Sequence, residues 1–166
     1  DSHSALSGCL KLVKGIRRPR DGFFFRAESF YNASTYIEEL SGPGLGTPLN
    51  QAYGGNLHAR SHGESLFALL QNRLQGPGLY LFDEPEAALS PTRQLAMLRR
   101  IKELADCGSQ MIIATHSPIL MAYPDSRIYC FSKEGIGEAV YEETEQFQIT
   151  RDFLNHYQQS LKELFR

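Results

Sequence analysis

The chain has 166 residues, 42% of them hydrophobic and 22% charged: enough for one domain with a real core, or for part of a larger one, and too apolar for a disordered chain. Seventeen Lys and Arg against nineteen Asp and Glu leave a formal charge of −2, so no global positive field draws in nucleic acid or anionic membrane. No apolar stretch approaches the roughly 20 residues of a membrane span, and the opening DSHSALSGCL has neither the basic nor the apolar region of a signal peptide.

The first 22 residues are polar and basic, with Arg17, Arg18 and Arg20 around Pro19. That cluster suits either a solvated face or a contact with DNA or nucleotide. Phe23–Phe30 is aromatic-rich and predicts a strand. Asn32 is a candidate cap for a short helix to Leu40. Residues 41–56 hold five Gly and two Pro, the composition of a loop or mobile insertion. Ser61 and Glu64 have capping-box spacing and open a helix over 61–75, with Leu66, Phe67, Leu70 and Leu74 on one face. Gly76-Pro77-Gly78 closes it.

Leu79–Asp83 is a short unalternated apolar run, as expected of a strand buried on both faces. Ser90-Pro91 supplies a cap and a first-turn proline. The helix then runs to about Cys107, with Leu95, Leu98, Ile101, Leu104 and Ala105 inward and Gly108 at its end. Gln110–Thr115 predicts a second buried strand and Arg127–Ser132 a third. Gly135–Gly137 is read as a turn into Glu138–Glu142. Thr150 is read as the cap of a last amphipathic helix carrying Phe153, Leu154, Tyr157, Leu161, Leu164 and Phe165. Strand, helix, strand with unalternated strands is the pattern of an α/β fold with a parallel sheet. Cys9, Cys107 and Cys130 are odd in number and far apart, which argues for reduced thiols, a cytoplasmic setting, and neither a structural zinc nor a disulfide framework.

Two strand ends carry chemistry. Leu79–Phe82 runs into Asp83 and Glu84. In a parallel sheet the carboxyl ends of the strands open on the ligand crevice. An acid there can hold Mg²⁺ through water, and a second acid beside it can position or deprotonate an attacking water. A solvated acidic turn explains the same residues. Ile112–Thr115 likewise runs into His116, which can donate to a phosphate oxygen or be structural. One crossover separates Glu84 from His116, and crossovers return parallel, so both tips are expected on one sheet edge within about 10 Å, the width of a phosphate-and-metal site. Ser61-His62-Gly63-Glu64 needs to be no more than a cap. As a helix N-terminus with a hydroxyl and a glycine it also suits an anion.

As a set, these residues resemble the ABC-type ATPases. Ser61-His62-Gly63-Glu64 is similar to the signature motif, with Arg60 in its Leu place and His62 in its first Gly place. Leu79–Glu84 resembles the Walker B strand with its catalytic glutamate, Pro85–Ser90 the D-loop, and His116 the switch histidine. SHGES, DEPEAALSP, ATHSPIL and the following AYP also resemble a bacterial, SMC-related group of soluble ABC-like ATPases of AAA type, over the whole chain. The resemblance implies a P-loop NTPase fold, with ATP and Mg²⁺ held between two head-to-tail subunits of a homodimer. It implies Glu84 as base, Asp83 at the metal, His116 at the γ-phosphate, and Ser61, Gly63 and Glu64 reaching the partner's nucleotide. Two departures stand out. Ser90 replaces the D-loop Asp of many members. None of the fourteen Gly is followed by Lys, so the Walker A pattern is missing. The chain is therefore expected to be the C-terminal portion of one ATPase domain, beginning after its P-loop, with Glu28 near the Q-loop position and no tight ATP binding of its own. The alternatives are a non-catalytic interaction or dimerisation module, an SMC or repair-type ATPase on DNA, and a transporter ATPase.

Overall fold

The computed structural model describes residues 6–9, 11, 13, 15, 19–28 and 61–166. The readings of Asn32–Leu40, of the Gly-rich stretch 41–56, and of Arg17, Arg18 and Arg60 lie outside the described residues. After one helical turn, Leu6–Cys9 (α1), the order is Asp21–Arg26 (β1), His62–Asn72 (α2), Gly78–Asp83 (β2), a 3₁₀ turn Pro85–Ala88, Pro91–Asp106 (α3), Gln110–Ala114 (β3), the short Pro118–Met121 (α4), Ile128–Ser132 (β4), Gly135–Ala139 (β5), a 3₁₀ turn Tyr141–Glu143 and Glu145–Leu164 (α5). Strands β1, β2 and β3 pair side by side, both pairs parallel, with β2 in the centre. The fold is α/β with a parallel sheet, as the sequence predicts.

One face of the sheet builds the core. Phe25, Tyr80 and Phe82 pack with Leu66, Leu69 and Leu70 of α2, with Leu74 just beyond it, and with Met97, Ile101 and Leu104 of α3. Burial of each such side chain contributes roughly 1.5–3 kcal/mol. The opposite face departs from expectation. Phe24, Leu81 and Ile112 form one rung across the three strands, and Phe24 and Ile112 are 61% and 56% exposed. The unalternated run at β2 is thus apolar on both faces; its core-facing residues are buried, and Leu79 and Leu81 on the other face are partly exposed. The β3 strand, predicted buried, is half-exposed and stands at the edge of the sheet among the described residues. The outward side of α3 also differs: Leu95 is 60% exposed, and its turn instead buries Gln94 and Met97.

Other boundaries shift for local reasons. β1 starts at Asp21 and ends at Arg26, short of Phe30. Gly135 and Gly137 lie within β5, and the reversal falls on Lys133-Glu134, because the Ser132 hydroxyl accepts from the Glu134 N–H at 3.2 Å and closes the turn there. β4 and β5 form a separate antiparallel pair. Thr144, not Thr150, caps α5: its hydroxyl accepts from the Phe147 N–H, and the residue is buried. Helix α5 buries none of its side chains. Among the described residues no helix is long and apolar enough to cross a membrane.

At the amino end of the sheet, Arg73 just after α2 holds Asp21 of β1 through two bonds of 2.6 and 3.0 Å. Its guanidinium also sits over the Phe23 ring, and the Tyr80 hydroxyl donates to the same carboxylate. The Arg73 bond, more than any other contact, holds the Asp21 pKa below its ordinary value, against the opposing effect of burial. The folded pKa is depressed, so this stabilisation is present above the unfolded carboxylate pKa and lost as pH falls through the folded value. Asp21→Asn is expected to cost about 1–2 kcal/mol at neutral pH. Its melting temperature should also fall less than wild type between about pH 5 and pH 2. Parallel acid dependence of the two proteins, by calorimetry, counts against this role.

Candidate functional site

The β2 strand delivers Asp83 and Glu84 to the carboxyl edge of the sheet. The strand ends there because Pro85 follows and has no N–H to continue the ladder. Glu84 turns with φ 48 and ψ 51, the left-handed region, while its N–H extends the ladder to the Ala114 carbonyl at 2.9 Å. Holding a non-glycine residue in that conformation costs roughly 1–2 kcal/mol. Such strain collects where function over-determines the backbone. On the neighbouring tip, β3 ends at Ala114 and His116 follows two residues on. His116 Nε2 lies 3.8 Å from Glu84 Oε1. Both groups are largely exposed, so solvent screens this pair and its value is positional rather than energetic.

A cleft of about 270 Å³ opens beyond the ends of β1 and β2, lined by Arg26, Ala27, Glu28, Asp83, Glu84, Ala87 and Ala88. Arg26 bridges its walls, with Nε 3.2 Å from Asp83 Oδ2 and Nη2 3.4 Å from Glu28 Oε2. Glu28 therefore lies beside the acids of β2. No group of three His, Cys, Asp or Glu suited to a metal occurs among the described residues. Mg²⁺ asks for less: one or two carboxylates, with water and phosphate oxygens completing its shell. Asp83 and Glu84 at the rim of an open cleft fit that demand by donor type. Asp83 would hold the ion, with Arg26 already set against the same carboxylate.

Ser61, Gly63 and Glu64 stand at the start of α2. The capping box is complete: Glu64 Oε2 accepts from the Ser61 N–H and hydroxyl, both at 2.8 Å, and Ser61 Oγ accepts from the Glu64 N–H at 3.4 Å. These bonds, the Ser61 N–H first, lower the Glu64 pKa, with Arg93 adding to them. Arg93 reaches across from α3 to Ser61 Oγ and to Glu64 Oε1, each at 3.2 Å. The Ser61 hydroxyl must leave Glu64 before it can donate to anything else. Ser90 caps α3, accepting from the Arg93 N–H, so Arg93 joins the starts of both helices.

Sequence reading alone brought out neither Arg93 nor the residues behind His116. Ser117 Oγ donates to Gln94 Oε1 at 2.5 Å, accepts from the N–H groups of Ile119 and Leu120, and caps α4. The Gln94 amide in turn donates to the Leu89 carbonyl. Glu86 Oε1 accepts from the His116 N–H at 2.6 Å. Arg93, Gln94 and Glu86 find partners 23 to 32 residues away; no local pattern marks such contacts.

Residues 65–122 match a family model described as "AAA domain, putative AbiEii toxin, Type IV TA system". The match takes in β2, the 3₁₀ turn, α3, β3 and α4, and with them Asp83, Glu84, Glu86 and His116. Over 89 residues the chain is 30% identical to a "Putative ABC transporter ATP-binding protein" of Methanocaldococcus jannaschii, a match covering 54% of this chain and 31% of that protein. The chain thus spans about a third of the relative's length. Both similarities support an ABC/AAA-like ATPase, and the parallel sheet with its helices is consistent with part of a P-loop NTPase core.

Proposed function

We propose that this chain supplies the water-activating and metal-holding side of an ATP-hydrolysing site, completed by a phosphate-gripping loop and, in trans, by a second subunit. The observation that carries this reading is the meeting of Glu84 and His116, 3.8 Å apart on adjacent strand tips beside the Asp83 cleft. Glu84 orients a water and takes its proton as the water attacks the γ-phosphorus. His116 donates to a γ-phosphate oxygen and keeps the Glu84 carboxylate facing that water. Mg²⁺, when bound, neutralises charge on the phosphates; Asp83 is the residue that would hold it, with Arg26 yielding part of its contact. Ser61 and Gly63, with Glu64 ordering the turn, face the partner's nucleotide at a helix N-terminus. Glu28 borders the nucleotide from just beyond β1, and Ser90 stands in the D-loop. The protein is a homodimer when ATP is bound and works in the cytoplasm.

A non-catalytic association module is the second reading. It is favoured by the exposed apolar side chains of α5 and the hairpin, among them Leu154, Leu164 and Phe131. Phosphate release by the intact protein separates the two. We expect hydrolysis that needs Mg²⁺, and Asp83→Asn should raise the Mg²⁺ concentration at half-maximal rate by roughly tenfold or more, the loss expected when a hard ion loses its one anionic protein ligand. An intact protein that releases no phosphate at saturating Mg-ATP overturns the enzymatic reading and leaves the association module.

A further inference from the structure

Resting on the hydrolytic reading above, we propose that Glu86 is a positioning residue, one that fixes His116 against Glu84 through the backbone. His116 lies beyond the last ladder pair of β3, which is Ala114 with Asp83. Its N–H therefore has no strand partner and needs another acceptor. Glu86 supplies one: Oε1 stands 2.6 Å from that nitrogen, a short, charge-assisted bond. Glu86 belongs to the same 3₁₀ turn that Glu84 opens in left-handed geometry. The turn therefore carries the proposed base at one end and the anchor for its partner two residues on. Movement of the β3–α4 loop away from Glu84 has to break the Glu86 bond.

The other side of the loop is also tied. Ser117, next after His116, is held by Gln94 and by its own cap of α4. His116 thus sits between two anchors, and the imidazole itself stays exposed.

The second Glu86 oxygen points to position rather than stability as the reason for this residue. Oε2 is buried and has no hydrogen-bond partner among the described residues. Burying a carboxylate oxygen unpaired works against folding. A residue selected only to pack beneath the turn would be apolar. A carboxylate there makes sense if the strong, short bond from Oε1 is what the site requires.

The test uses the intact protein with Glu86→Ala, Glu86→Gln, His116→Ala and the Glu86→Ala/His116→Ala double variant. Glu86→Ala should lower kcat for Mg-ATP roughly ten- to a hundredfold, as misplacement of a catalytic group does, with KM nearly unchanged. Glu86→Gln retains an acceptor oxygen and should restore most of the rate. The double variant should be no slower than His116→Ala, because the two residues act as one unit. Selective ¹⁵N-histidine labelling follows the His116 amide, assigned by its disappearance in His116→Ala. Its proton should resonate far downfield in wild type, move upfield in Glu86→Ala and exchange faster with solvent. Multiplying losses in the double variant, or an amide signal that Glu86→Ala leaves in place, overturns the proposal. If wild type hydrolyses no ATP, the functional reading fails separately, and the amide signal alone decides whether Glu86 holds His116. Should Glu86→Ala not fold, Glu86→Gln carries the same comparison: its amide signal should move part of the way upfield, and an unmoved signal counts against the bond.

Discussion

Glu84→Gln in the intact protein is expected to leave Mg-ATP bound and to slow its turnover by roughly 10²–10⁴-fold, the usual contribution of a positioned base. The substitution isolates the charge. Gln has the same length, the backbone at φ 48 and ψ 51 carries the same strain, and the main-chain bond to Ala114 at 2.9 Å involves no side-chain atom. What disappears is the anionic oxygen 3.8 Å from His116 and its ability to take a proton from water. Unhydrolysed ATP then persists between subunits and draws the protein toward dimer by mass action. Ser61→Ala should act in the opposite sense on association. It removes the hydroxyl that caps α2 and that would reach the partner's phosphate, so ATP-dependent dimerisation weakens. Light scattering after size exclusion, with and without Mg-ATP, reads both effects. Phosphate release that Glu84→Gln leaves unchanged at saturating Mg-ATP removes Glu84 from the role of base.

The strand-tip pair was legible because its determinants are local. An apolar run ending in acids, a capped helix of the right length and a second apolar run ending in His116 define a crossover, and crossover geometry brings the tips together. The capping box was legible for the same reason, since both partners lie within one turn. The half-exposed second face of the sheet was not. Gln110–Thr115 reads as a buried strand, yet its Ile112 is 56% exposed, and a strand's composition records that it is apolar without recording what covers each face. Leu95 on α3 misled in the same way. The anchors were illegible on different grounds: Arg93, Glu86, Gln94 and Arg100 are polar residues in ordinary helix or turn positions. Arg100, for instance, donates to the Leu70 and Leu74 carbonyls at 3.0 and 2.6 Å. It ties down the last turn of α2 and Leu74 beyond it from a different helix, whereas the local signal, Gly76, lies further along the chain than the helix end at Asn72.

Gly63 gives the sharpest separation between a packing role and a ligand role. By helix propensity alone, Gly63→Ala should stabilise α2 by up to about 1 kcal/mol. The structure predicts the reverse. A Cβ at Gly63 would stand 2.7 Å from the Ala88 carbonyl oxygen and collide with the Arg93 guanidinium. The Arg93 side chain can move, although it would give up its bonds to Ser61 and Glu64. The Ala88 carbonyl is main chain and cannot move alone. It ends the 3₁₀ turn that begins at Glu84, so pushing α2 outward also pulls on the proposed base. Gly63→Ala is therefore expected to destabilise by about 1–3 kcal/mol, the usual cost of overpacking, and to lower the melting temperature by about 3–10 °C for a domain of this size. Gly137→Ala is the control: its added Cβ meets nothing within 4 Å, and it should change stability by less than about 0.5 kcal/mol. Both are measured without nucleotide, so a phosphate contact cannot contribute. A Gly63→Ala protein as stable as wild type would free the glycine from packing, and close approach of a partner's phosphate would then be its remaining physical use.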